Sequence, residues 1–219
     1  MDKRHTRGLL AAAKDEFWPK VRPLDLDEGW TDDGDGPAAG SIAVVDISTV
    51  GSHPAEGRII RLTLRSFEYD SSGAITWIGD LLDTVEDPGT PTPTGMHAAA
   101  ENSVSEPRRG IVEDWTATEV LRAVSIVVAH GVDAVRPWVE SRFEHARGLR
   151  WACSMSDVDW PARGFHGFAL NSLLWQSGYS HGRNVPGAGT DAVVQLLRHR
   201  SKDNRTALAE LLDRQRRPS

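Results

Sequence analysis

Cys153 is the only cysteine in the chain, so neither an intrachain disulfide nor a cysteine-cluster zinc site can form. It lies in the apolar run Leu149–Ser154 and reads as a small buried hydrophobe rather than a nucleophile. His181 sits in a glycine-rich loop, Gly178–Gly189, and His130 follows the apolar run Val124–Ala129. The first reads as an exposed loop histidine and the second as a packing or turn-bonding one. Asp46 ends an apolar strand, and Asp191 opens a helix, where a carboxylate complements the helix dipole. Tryptophan offers a surface for stacking bases, and positions 18, 30, 77, 115, 138, 151, 160 and 175 carry it. Trp138, Trp151 and Trp175 fall at apolar helix or strand positions and read as core. Trp18 and Trp30, in the N-terminal arm, read as the exposed pair.

Charge narrows the partners. The net charge is −6, whereas a strong nonspecific nucleic-acid binder carries a basic face. Leu24–Gly36 holds Asp25, Asp27, Glu28, Asp32, Asp33 and Asp35 with no lysine or arginine. The C-terminal end is locally basic, with Arg198, Arg200, Lys202, Arg205, Arg214, Arg216 and Arg217. That tail reads as a solvated helix face, with phosphate contact as the alternative. No stretch approaches the length of a membrane span. The charged N-terminus, with only the short apolar run Leu9–Ala13 behind it, is not a signal sequence. A cytoplasmic protein without membrane contact is expected.

The elements that must position these groups follow from periodicity. A short helix is expected over residues 6–18, then a Pro-, Gly- and Asp-rich extended arm or mobile loop to about Gly40. Ser41–Ile47 is a β-branched apolar run suited to a strand buried on both faces. Arg58–Tyr69 and Ala74–Leu82 read as two strands joined by the Asp70-Ser-Ser-Gly73 hairpin. In the first of them Ile60, Leu62, Leu64 and Phe67 alternate with Arg61, Thr63 and Arg65. Glu86–Gly95 holds too many prolines and glycines for regular structure. Thr116–Ala123 is expected to be helical with Thr116 as N-cap. Val124–Ala129 reads as a second buried strand, Ala134–Arg147 as a helix and Leu149–Ser154 as a third, parallel strand. Phe168–Gln176, Thr190–His199 and Asp203–Arg214 complete the chain as helices. The expectation is an α/β fold: an antiparallel meander plus parallel strands in one mixed sheet, flanked by helices. Its divisions are a helix and acidic arm over 1–40, a core domain over 41–200 and a basic helix or tail over 201–219.

Three stretches resemble the motifs of the DEDDh 3′–5′ exonucleases, the family of the DNA polymerase III proofreading (epsilon) subunit. Val45-Asp46-Ile47-Ser48-Thr49-Val50-Gly51 is similar to the family's strand ending in D-x-E-T-T-G, and Arg58-Ile59-Ile60 follows where it has D-x-I-I-E. Val128-Ala129-His130-Gly131-Val132-Asp133-Ala134-Val135 is similar to V-A-H-N-A-x-F-D. Pro186-Gly187-Ala188-Gly189-Thr190-Asp191 stands where the family has H-x-A-x-x-D. Asp87-Pro88-Gly89-Thr90-Pro91 resembles the loop after the third strand. Trp151-Ala152-Cys153-Ser154 with Val158-Asp159-Trp160 resembles one bacterial branch. The resemblance spans residues 41–198 and implies an RNase H-like fold.

The resemblance also implies a chemistry, and the sequence departs from it. In the family, four carboxylates hold two divalent cations on the scissile phosphate and a histidine serves as general base. Carried over position by position, Asp46 and Asp191 are retained. The glutamate of the first motif is Ser48, the aspartate of the second is Val135, and the histidine of the third is Pro186. Valine offers a metal no lone pair, serine is neutral and short, and proline accepts no proton. Losing the base alone removes about 10²–10⁴ in rate. Asp133 or His181 would have to be recruited as substitutes, and Asp133 faces another way unless its turn is rebuilt.

The expected function is a degenerate, catalytically impaired exonuclease homologue that binds a nucleic-acid 3′ end, such as that of a single strand, or a protein. It would need no cofactor. The alternative is a weakly active 3′–5′ exonuclease on DNA or RNA, dependent on Mg²⁺ or Mn²⁺ at Asp46 and Asp191. A third reading is partner binding through the acidic arm and basic tail.

Overall fold

The computed structural model describes residues 21–86, 108–109, 114–181 and 185–216. The expected helix over 6–18, the Asp87–Pro91 loop and most of the irregular 86–95 stretch lie outside these residues. The strands are β1 (Arg22–Pro23), β2 (Gly29–Trp30), β3 (Gly40–Val50), β4 (Arg58–Tyr69), β5 (Ile75–Val85), β6 (Arg108–Arg109), β7 (Ile126–Ala129), β8 (Arg150–Cys153) and β9 (Tyr179–Ser180). The helices are α1 (Asp114–Arg122), α2 (Val132–Arg142), α3 (Leu170–Gln176), α4 (Ala188–Leu197) and α5 (Ala207–Arg216), with a 3₁₀ turn at Glu144–Gly148.

The main sheet runs β2-β5-β4-β3-β7-β8, with β6 pairing β5. β3, β4 and β5 form the antiparallel meander, and β7 and β8 extend it as parallel strands. The mixed α/β sheet expected from the sequence is the one observed. Its tightest hairpin is set by Asp70, whose Oδ1 accepts the backbone N–H groups of Ser72 and Ala74.

Period-two alternation sends β3 side chains to two separate cores. Ile42 and Val44 face α3, α4 and α5 with Phe67, Trp160, Leu173, Val193 and Leu208. Ala43 and Val45 face α1 and α2 with Leu62, Leu64, Leu121, Val135 and Val139. Each fully buried Val, Leu or Ile contributes about 1.5–3 kcal/mol, so both faces anchor the central strand. The polar positions of β4 therefore do not form a solvated face. Thr63 and Arg65 are each only 4% exposed, because α4 and the arm lie over them.

The arm is docked rather than loose where it is described. Leu26 is buried in the first core, β1 pairs in parallel with β9 and β2 pairs antiparallel with β5. Asp33 pairs with Arg198, and Arg200 Nη2 donates to its carbonyl at 2.9 Å. Helix α1 starts at Asp114, so Thr116 is inside it and not its cap. Trp138 is buried and Trp151 packs on the second core. Trp175, expected in the core, is 37% exposed because it ends a short helix at the surface. Trp30 is 83% exposed. Trp18 lies outside the described residues. Among the described residues no helix is long and apolar enough to cross a membrane.

Candidate functional site

Asp46 leaves the core strand where its apolar run ends, on the same face as Ile42 and Val44. It and Ser48, two residues on, share that face. Together with Ile47, Arg61, Thr63 and the Val185, Gly187, Ala188 and Gly189 backbone region, they line a cavity of about 150 Å³. Helix α4 closes one side because its first turn can approach the sheet closely. Gly187 caps the helix in the left-handed conformation (φ 67°), and any Cβ there would strike Leu81. A Cβ on Gly189 would lie 2.3 Å from Asp46 Oδ2 and 3.0 Å from its Cγ. Glycine at these two positions lets the helix start rest on the carboxylate.

Asp46 Oδ1 accepts its neighbour's N–H, from Ile47, at 3.0 Å. Asp46 is exposed at the cavity, yet the protein packed around its carboxyl raises its pKa above the usual value, while the Ile47 N–H and the Arg61 charge oppose the rise. Arg61 forms a bidentate pair with Asp83, donating from Nε and Nη2 at 2.8 and 2.7 Å. Thr63 Oγ1 donates to the Asp46 carbonyl at 3.3 Å.

Asp191 is not among the cavity's lining residues. Its two oxygens accept Nε and Nη2 of Arg65 at 2.9 and 3.2 Å. Arg65 Nη1 donates further to Glu28 Oε1 and to the Gly79 carbonyl, both at 3.0 Å. Burial raises the Asp191 carboxyl above its usual range; Arg65 works against this, and Asp25 and Glu28 add to it.

The other residues singled out from the sequence are dispersed. Val135 is buried on α2 in the opposite core, across the sheet from Asp46. Pro186 is half-buried just before α4 and is not a lining residue of the cavity, although its neighbours Val185 and Gly187 are. Asp133 is exposed in the first turn of α2. His181 Nε2 lies 2.8 Å from Asn171 Oδ1. His130 bonds Ser154 Oγ through Nδ1 (3.0 Å) and the Phe168 carbonyl through Nε2 (2.7 Å). Burial lowers its pKa, against the pull of that carbonyl, which fits the packing role expected of it. Cys153 is buried. Burial raises its thiol pKa, but hydrogen bonds with Ser156 and the Val132 and Gly131 backbone outweigh this and lower it.

Arg61, Arg65, Asp83 and Glu28 were not among the candidate site residues read from the sequence. The available signal was the pair of arginines on alternate positions of β4, with an acidic arm elsewhere in the chain.

The resemblance implies a pair of divalent cations, and the donor set does not fit one. Hard cations require several oxygen ligands. Of the five positions that the resemblance points to, only Asp46 and Ser48 line the cavity. Among the described residues no group of three or more His, Cys, Asp or Glu is arranged to hold a metal ion.

No protein-family model and no curated protein matches the sequence. Solved structures do. An apo form of exonuclease I superposes with a TM-score of 0.51 at 13% identity, over 81% of this chain and 45% of that one. A second exonuclease I structure, discussed in terms of its processivity, gives 0.51 at 14%, over 81% and 44%. Escherichia coli exonuclease I in complex with a dT13 oligonucleotide gives 0.49 at 15%, over 73% and 40%. The chain thus spans less than half the length of these structures. At such identities the likeness concerns architecture, and the mixed sheet with its flanking helices has the RNase H-like fold found in exonuclease I.

Proposed function

We propose that this chain is a catalytically impaired relative of the DEDDh 3′–5′ exonucleases, retained as a binding module. The observation that carries this reading is the bidentate capture of Asp191 by Arg65, which engages both carboxylate oxygens. A carboxylate gripped through both oxygens by a guanidinium is engaged rather than offered to a cation shared with Asp46. Ser48, Val135 and Pro186 supply neither an anionic ligand nor a base at the remaining positions.

The ligand class follows from charge. On the Asp46 face the carboxylates of Asp46, Asp83, Asp191 and Glu28 outnumber the guanidiniums of Arg61 and Arg65, and the chain carries a net charge of −6. Phosphate is disfavoured there, so the module is read as binding a protein rather than a nucleic-acid 3′ end. The exposed rings of Trp30 and Trp115 suit a protein contact, where aromatic anchors dominate binding.

Two measurements test the reading. Calorimetric titration with Mn²⁺ should show no stoichiometric site. A 3′-labelled single strand in millimolar Mg²⁺ or Mn²⁺ should release no nucleotide in a manner that depends on Asp46. Release by the natural protein that disappears in Asp46→Ala would establish a working nuclease and end the impaired reading. Tight, salt-dependent binding of the same strand without cleavage would keep the impairment and move the ligand to the nucleic-acid end.

A further inference from the structure

The sheet face beside the cavity gathers four carboxylates, and two arginines partly neutralise them. Asp83 is held by Arg61, with side chains 11% and 17% exposed. Asp191 and Glu28 converge on Arg65, whose side chain is 5% exposed. Asp46 lies within the electrostatic reach of Arg61. Arg61 and Arg65 are four residues apart on β4 and, with Thr63 between them, on one face.

We infer that Arg61 and Arg65 are built-in counter-cations, filling the electrostatic role that divalent metal ions would otherwise take among these acids. This rests on the impaired reading and adds the reason for it. A guanidinium keeps its proton throughout the accessible pH range. Its planar fork grips a carboxylate through two parallel bonds, which a point charge cannot do. Asp83 and Asp191, with side chains 11% and 15% exposed, are poorly solvated and need a compensating cation, and the chain supplies two covalently. A divalent ion entering the face would have to displace a bidentate pair already made. Glu28 makes the arm a participant, since the same Arg65 that holds Asp191 from helix α4 also holds the arm.

The experiment removes the charge and keeps the bulk. Arg65→Met and Arg61→Met are compared with the natural chain by thermal unfolding in EDTA and in millimolar Mn²⁺, with calorimetric titration of Mn²⁺ alongside. The natural chain should melt at the same temperature in both buffers. Each Met variant should melt lower in EDTA and recover part of the loss in Mn²⁺, with Mn²⁺ affinity at least about tenfold above that of the natural chain. Arg65→Lys, which keeps a cation, should stay insensitive to Mn²⁺. Adding Asp191→Asn to Arg65→Met should erase the gain. A natural chain and two Met variants that are all indifferent to Mn²⁺ overturn the inference and leave the impaired reading standing. Stoichiometric Mn²⁺ binding by the natural chain overturns the impaired reading itself. Should Arg65→Met fail to fold in either buffer, Arg61→Met, at the cavity's edge, decides the matter alone.

Discussion

Replacing Gly189 by alanine sets two opposed effects against each other. Alanine is the better helix former, by up to about 1 kcal/mol, and Gly189 is the second residue of α4 with a φ that any residue accepts. The added methyl, however, would lie 2.3 Å from Asp46 Oδ2 and 3.0 Å from its Cγ. To make room the carboxylate must turn away and give up the Ile47 N–H bond at 3.0 Å, or the start of α4 must shift, and overpacking of this kind costs about 1–3 kcal/mol. Gly189→Ala should therefore be destabilising in the natural chain. In an Asp46→Ala background the nearest remaining atom is the Cβ at 3.5 Å, an ordinary contact, and the same substitution should become neutral or stabilising. The assay is urea unfolding of the four proteins of this double-mutant cycle, with an expected coupling of about 1–3 kcal/mol. Additive effects, within about 0.3–0.5 kcal/mol, would show that α4 does not rest on the carboxylate and would refute the geometry of the cavity.

Two further substitutions probe the site. The Asp46 carboxyl has a raised pKa in the folded state, so its stabilising contribution is complete below the unfolded value and is lost as pH rises through the folded one. Asp46→Asn should accordingly raise the urea midpoint near neutral pH, the gain fading as pH falls towards the ordinary carboxylate value of about 4; a lower midpoint at neutral pH would contradict this. Val135→Asp, which would introduce the carboxylate that the resemblance implies, instead buries a charge between helix and sheet. It should cost about 3–5 kcal/mol with no gain in Mn²⁺ affinity, and a thermal melt in Mn²⁺ and in EDTA checks both.

The strands were legible because their signals are local. Strand β4 runs over the residues its alternation marked, Arg58–Tyr69, and the Asp70–Gly73 turn needs only its own side chains and a glycine at φ 78°. Helix ends were less so: α2 stops at Arg142, and the chain continues as a 3₁₀ turn where a longer helix was expected. The arm and the Arg65 network were not legible at all. Arg65 has the sequence look of a solvent-facing residue on an amphipathic strand. Its burial comes from partners 37 and 126 residues away, and no window on the sequence contains them. Asp191 illustrates the same limit at the site. A resemblance pointed to it in the sequence, but the cation that holds it could not be read there.

The parallel pairing of β1 with β9 has a consequence for how the chain is made. Residues 22–23 find their partners only at 179–180, and the arm's other ties, at Arg198 and Arg200, emerge later still. On the ribosome the β3–β4–β5 meander can pair early, since its contacts are short in range. The face that will carry α3, α4 and α5 stays uncovered until nearly all of the described chain has left the exit tunnel. Contacts of such long range are slow to close, and bare apolar sheet is prone to aggregate. Stretches truncated before α4 should therefore be found in inclusion bodies or bound to holdase chaperones, with the arm still open to proteases.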